Sequence, residues 1–179
     1  MEDKKMKATV ELKGTTPLLM HAFPLEPLAN IEKKSKEEQA EYAAYRMDGK
    51  NLCIPSICLQ RALISAANYS KGKGRSSLVR QTAACLFVSP ESLDLGVKNY
   101  CIDSRPVVVP ATKGRIIRHR PRLDEWSIRF KLEWDSELLT ERQVRQIVDD
   151  CGLKVGLLDF RPERKGPFGK FIVTSWKTN

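Results

Sequence analysis

Histidine is nearly absent from this chain of 179 residues, with His21 and His119 the only two. The five cysteines (Cys53, Cys58, Cys85, Cys101, Cys151) are odd in number and include no CxxC pair. A structural zinc site draws four ligands from closely spaced Cys and His, and here it has little to build on. Reduced, mostly buried thiols in a cytoplasmic protein are the expectation, with no metal and no cofactor. No apolar run approaches spanning length and no signal peptide is visible, so a membrane is not an expected partner. The basic, flexible segment 71–76 lacks the Gly-Lys-Ser/Thr that would close a phosphate-binding P-loop. With no domain-scale linker and no internal repeat, residues 1–179 read as one domain, large enough to bury a core without staples.

What the chain has is positive charge, unevenly placed. The formal net charge is +9. Residues 105–131 carry eight Lys/Arg against Asp124 and Glu125, and residues 161–170 carry four against Glu163. Those two windows hold the whole surplus. A focused positive surface attracts polyanions, of which nucleic acid is the commonest. An anionic membrane or an acidic protein surface are the alternatives.

Strand and helix periods alternate along the chain. Ala8, Val10 and Leu12 share one face of a half-buried strand, with Thr9, Glu11 and Lys13 on the other. Residues 35–47 read as a surface helix opened by a Ser35/Glu38 capping box, within an insertion spanning 21–50. Ser56 starts a helix with Leu59, Ala62, Leu63 and Ala66 on its apolar face. Residues 77–88 read as a helix passing into a short strand, followed by strands at 100–102 and 107–109 and a basic arm over 105–122. Residues 126–134 alternate without a break, Trp126, Ile128, Phe130, Leu132 and Trp134 against Ser127, Arg129, Lys131 and Glu133. Thr140 and Gln143 form a second capping box, Leu139 and Val144 a hydrophobic staple, and Gly152 is the expected C-cap. Asp149 and Asp150 sit badly for the helix dipole and call for Arg or Lys partners. Residues 168–177 are the last strand. Without the insertions the order is strand, helix, strand, strand, helix, strand. That predicts an α+β fold, the ferredoxin-like (RRM-like) βαββαβ unit, an antiparallel sheet with two helices on one face.

Between the final helix and strand lies a glycine-rich loop, 152–170, with Gly156, Gly166 and Gly169 beside Arg161, Arg164, Lys165 and Lys170. Glycine allows positive φ and close backbone approach, and free N–H groups can join Lys and Arg in holding phosphate. A solvated loop with turn glycines is the other reading of these residues. Asp159 beside Arg161 is expected to order the loop.

Three segments carry a family resemblance. The first strand runs into Gly14-Thr15-Thr16-Pro17-Leu18-Leu19-Met20-His21. Residues 48–66, DGKNLCIPSICLQRALISA, place an Ile-Pro turn and Ser56 before a helix. Residues 152–173 place a glycine-rich loop before a strand. In this order they resemble the RAMP superfamily of CRISPR-associated proteins, particularly the backbone subunits that coat guide RNA. Ile57 and Arg61 depart from that pattern, where small residues and Gly are expected, and the chain is short for such a subunit. A divergent or stand-alone member, with a phage origin open, fits these departures. The stretch 165–173, KGPFGKFIV, is also similar to the RRM aromatic signature, with Pro167 intruding.

The open sheet face, with Thr9, Glu11, Lys13, Ser127, Arg129 and Lys131, has no aromatic pair on which bases could stack. The residues therefore point to a non-catalytic protein that holds single-stranded RNA or DNA through the phosphate backbone. The expected contacts are Arg61, Lys113, Arg115, Arg118, His119, Arg120, Arg122, Arg129, Lys131, Arg161, Arg164, Lys165, Gly166, Gly169 and Lys170. The resemblance implies head-to-tail self-association or other effector subunits as partners. Two alternatives stand beside this reading. One is an endoribonuclease of the same type with His21 as acid/base. The other is a protein-binding module that imitates such a subunit.

Overall fold

Val10, Leu12 and Ala8 are fully buried in the first strand, β1 (Lys5–Gly14), while Lys5, Lys7 and Lys13 on its other side face solvent. The computed structural model describes residues 4–23, 25, 27–72, 76–109 and 111–178. Residues 73–75 of the basic loop and residues 24 and 26 of the 21–50 segment lie outside that set.

After β1 come a short strand β2 (Leu18–Leu19), helices α1 (Leu28–Ile31) and α2 (Lys36–Tyr42), and strand β3 (Cys53–Pro55). Helix α3 (Ser56–Ala66) and helix α4 (Val79–Cys85) lead to strands β4 (Phe87–Ser89) and β5 (Ser92–Asp94). A hairpin of β6 (Cys101–Val108) and β7 (Arg115–Leu123) precedes β8 (Ser127–Asp135), helix α5 (Glu141–Asp150) and β9 (Phe171–Thr178). The result is an α+β protein with antiparallel sheets and five α-helices among the described residues.

The main sheet has the order β4-β8-β1-β9, every pairing antiparallel. Its register puts Ala8 opposite Leu132, Val10 opposite Phe130 and Leu12 opposite Ile128, all buried. Burying each of the larger side chains in this row contributes roughly 1.5–3 kcal/mol, which fixes the register, because a one-residue slip would expose the whole row. Three helices rather than two close over this face. Leu59, Leu63 and Ala66 of α3, Thr82 and Cys85 of α4, and Val144, Ile147 and Val148 of α5 are all buried. Thr140 and Gln143 cap α5 reciprocally, and Leu139 and Val144 are both buried at the staple positions.

Four further sequence expectations change. The helix expected over 35–47 keeps its Ser35/Glu38 box but stops at Tyr42, and it packs on β7. Strands expected at 100–102 and 107–109 are one strand, β6. The last strand starts at Phe171, because Phe168 belongs to the preceding loop. Gly152 does not cap α5. The helix runs on through a π-turn, Cys151–Val155, and the left-handed residue is Gly156 at φ 75°. A Cβ on Gly152 would strike the carbonyl oxygen of Phe171, so this glycine lets β9 lie against the turn. Asp149 and Asp150 find Arg145 at 3.2 Å and Lys154 at 2.8 Å.

A second sheet, β2-β7-β6, carries the hairpin. It hangs on the loop after β1 through the Leu18–Leu123 and Leu19–Arg122 pairs and the Met20 amide donating to the Pro121 carbonyl. Among the described residues no helix is long and apolar enough to cross a membrane.

Candidate nucleic-acid interface

The glycine-rich loop is closed on itself. The Leu157 amide donates to the Gly169 carbonyl at 2.9 Å, the Phe168 amide to the Phe160 carbonyl at 3.2 Å, and the Gly166 amide to the Arg161 carbonyl at 3.0 Å. Leu158, Phe160 and Lys165 adopt positive φ without being glycine. A Cβ on Gly166 would overlap the Phe160 carbonyl, which is the close approach that selects glycine there. The loop is stitched to the segment after β1 as well. The Gly169 amide donates to Pro17, the Asp159 amide to Leu19, and the Thr15 amide to Lys170. Gly166 and Gly169 therefore spend their N–H groups inside the framework. The expected free amide donors at these two positions are not there.

This stitching brings His21 beside Asp159, with His21 Nδ1 3.4 Å from Asp159 Oδ2. Asp159 also takes Arg120 Nη1 at 2.5 Å. Arg120 continues to Asp103 at 3.8 Å, and Asp103 to Arg105 Nε at 2.6 Å. The Arg105 guanidinium lies over Phe168 and Phe160, 4.8 and 5.8 Å from their ring centres. A chain of alternating charges thus bolts the hairpin to the glycine-rich loop. Burial alone would raise the pKa of Asp159. The hydrogen bond from His21 and the Arg120 charge outweigh it and hold the carboxyl at about 2.

Between α3 and this loop opens a groove of about 590 Å³. Helix α3 lends Cys58, Arg61, Ile64 and Ser65 to it. The loop lends Leu158, Asp159, Arg161, Glu163 and Arg164, and His21 and Tyr45 complete it. Arg161 is occupied, donating to the Leu158 carbonyl at 2.8 Å and to Glu163. Arg61 and Arg164 are exposed and make no direct ion pair among the described residues. Burial pushes the Cys58 thiol up, so it stays protonated near neutral pH. The Tyr45 hydroxyl donates to the His21 carbonyl at 3.4 Å. Chemically, the groove offers exposed guanidinium groups beside two carboxylates, Asp159 and Glu163, and one histidine.

The fifteen expected contacts and His21 do not form one surface. His21, Arg61, Arg161 and Arg164 come together in the groove, with Lys165 exposed on the same loop. Lys170 follows that loop half-buried, its amide donating to Thr16 Oγ1 at 3.0 Å. In the hairpin, Arg118, Arg120 and Arg122 share a face with Arg105, Asp103 and Cys101. Arg115 and His119 take the opposite face, and Lys113 is exposed at the tip. Arg120, expected to grip ligand from the surface, is 4% exposed and committed to Asp159 and Asp103. Arg118 is within 4.0 Å of Glu32, Arg122 within 2.9 Å of Asp124, and His119 Nδ1 2.7 Å from Ser104 Oγ. Arg129 and Lys131 lie on the open sheet face, Arg129 beside Glu11 at 3.6 Å. Sequence reasoning missed Asp103, Arg105, Tyr45 and Ser65. Only Ser65 left a signal, one helical turn after Arg61.

No family model matches the chain, and no curated protein matches it. The fold matches a chain of the cryo-EM structure of the Type III-B Cmr-beta bound to cognate target RNA, with a TM-score of 0.51 and 9% sequence identity. The match covers 97% of this chain and 60% of that one, so this chain spans well under the full length of its structural neighbour. At that identity the likeness is one of fold.

Proposed function

We propose that this chain is a RAMP-type nucleic-acid-binding protein that holds single-stranded RNA or DNA through its phosphates without cleaving it. The order β4-β8-β1-β9, with helices α3 and α4 before β4 and helix α5 before β9, supports reading the main sheet as ferredoxin-like. The neighbour of similar fold was solved with target RNA, and RNA is the first substrate to test. One observation carries the reading: Arg61 and Arg164 line one groove from two different elements, and neither has a direct ion partner among the described residues. Guanidinium groups left open in a groove suit phosphate oxygens, which they meet with paired donors. The exposed hairpin tip, with Lys113 and Arg115, extends the positive surface. Val108 and Ile117 beside it, 57% and 61% exposed on the face of Arg115, suit contact with a neighbouring copy along the strand.

The test is fluorescence anisotropy with labelled single-stranded RNA, single-stranded DNA and duplex DNA across a salt series. Single-strand preference with affinity falling steeply as salt rises is the expected result. No binding to any of them at low salt overturns the reading.

A second reading, RNA cleavage with His21 as acid/base, is favoured by one contact. Asp159 lies on His21 Nδ1, the arrangement that orients an imidazole for proton transfer. Incubation of labelled RNA with wild type and His21→Ala separates the two. Cleavage lost in the variant selects the enzyme, and intact RNA with both selects the binding protein.

A further inference from the structure

The face of α3 that lines the groove does not stop at Ser65. Cys58, Arg61, Ser65 and Tyr69 recur at intervals of three and four residues, the spacing of one helix face. Where α3 ends in a 3₁₀ turn, Ala67–Tyr69, a second hollow of about 370 Å³ opens along α5 and the π-turn after it. Lys154 of the π-turn sets its ammonium 4.7 Å from the centre of the Tyr69 ring and is itself held by Asp150 at 2.8 Å. The ring is thereby fixed on one side, yet Tyr69 is 54% exposed, which leaves a flat π surface open to solvent. Lys71 and Arg142 flank it, exposed and without a direct ion pair among the described residues. Ser70 lines the same hollow at 8% exposure, and its hydroxyl has no hydrogen-bond partner among the described residues. A buried hydroxyl left unpaired costs stability unless something supplies the missing bond.

An aromatic plate, two free cations and an unpaired hydroxyl are what a single nucleotide asks for. The plate takes the base, the cations take the phosphate, and stacking of this kind is tolerant of sequence. Arg61 and Tyr69 are about 12 Å apart along the helix, from a rise of about 1.5 Å per residue. That is about two to four nucleotides of strand. We infer that a strand held in the groove continues along α3 and stacks one base on Tyr69, its phosphate held by Lys71 and Arg142. This subsite rests on the proposed phosphate-gripping groove, and it gives that groove a length, a direction and a base-contacting end.

The test uses the full chain and a ladder of fluorescein-labelled uridine oligomers of about 4 to about 12 nucleotides. Affinity should step up once an oligomer is long enough to reach Tyr69. Tyr69→Ala should abolish that step, an affinity loss of about 5- to 100-fold for the long oligomers. The short ones should be unaffected, and Tyr69→Phe should behave as wild type. Arg142→Glu should reduce the salt slope by about one for long oligomers only. A single abasic site scanned along a long oligomer, against unaltered protein, should reproduce the loss at one position. If no position is sensitive and Tyr69→Ala binds every length as wild type does, while Arg61→Glu weakens all of them, the subsite is overturned and the groove stands. If Arg61→Glu also changes nothing, the groove itself is overturned, and the subsite with it.

Discussion

Arg120 Nη1 lies 2.5 Å from Asp159 Oδ2, joining a hairpin and a loop that are 39 residues apart in sequence. The arginine side chain is 5% exposed and the aspartate 29%. At the same junction the Arg105 guanidinium lies over the Phe160 and Phe168 rings, so ion pairs and ring contacts join the two elements together. Arg120→Ala removes the buried guanidinium that links Asp159 to Asp103, leaving only His21 on the first carboxylate and Arg105 and Arg122 on the second. It should lower the unfolding free energy by about 3 kcal/mol, measured by urea denaturation. A variant as stable as wild type would show that the two elements are held elsewhere.

Acid should act through the same aspartate. Its folded pKa of about 2 lies below the ordinary aspartate value, so the folded state binds the proton more weakly than the unfolded one. The associated stability is fully present above about pH 4 and is lost as pH falls through about 2. It amounts to on the order of 2 kcal/mol. Asp159→Asn should be the less stable protein at neutral pH, and the gap should narrow across that window. Parallel stability curves for the two proteins from pH 5 to about 2 would count against the pairing.

Charge reversal separates the groove from the other basic surfaces. Arg61→Glu and Arg164→Glu should each weaken single-strand binding and reduce the salt slope by about one or more. Arg129→Glu on the open sheet face is already balanced by Glu11 in the wild type, and it should cost less. Anisotropy titrations at three salt concentrations give both quantities. Equal losses for all three variants would mean a diffuse electrostatic attraction with no groove.

Two glycines give a matched pair. Gly166→Ala drives a methyl group into the Phe160 carbonyl, and the loop must open to admit it. Gly49, at φ 67° with open space around its Cβ position, carries only the left-handed backbone strain. Gly49→Ala should therefore cost about 1 kcal/mol and leave binding intact. Gly166→Ala should cost more and take binding with it, since Arg161 and Arg164 ride on the same loop. Thermal melts alongside anisotropy decide this.

Periodicity carried most of the fold into the sequence. The alternation at Ala8–Leu12 and at Trp126–Trp134 reappears as the two central strands, and both capping boxes form with the predicted partners. Gly152 was ambiguous by nature. A glycine after a helix can supply a positive φ or a close approach, and the difference depends on where Phe171 ends up. The groove was half legible. Arg161 and Arg164 belong to an obvious basic loop, but nothing local says that Arg61, a century of residues earlier, stands across from them. Arg120 read as surface charge because its burial depends on hairpin register, which sets Asp103 opposite, and on Asp159 from another element.

β1 lies between β8 and β9, with Lys13 and Gly14 opposite Ile172 and Phe171. The loop that forms one wall of the groove leads directly into β9, so the wall takes its place only when β9 is paired. Pairing of such distant segments is the slow, late event in a fold of this kind. A chain still emerging from the ribosome would thus carry all its early arginines and yet present no groove. On the proposed reading, capture of a strand is timed by the closing of the sheet.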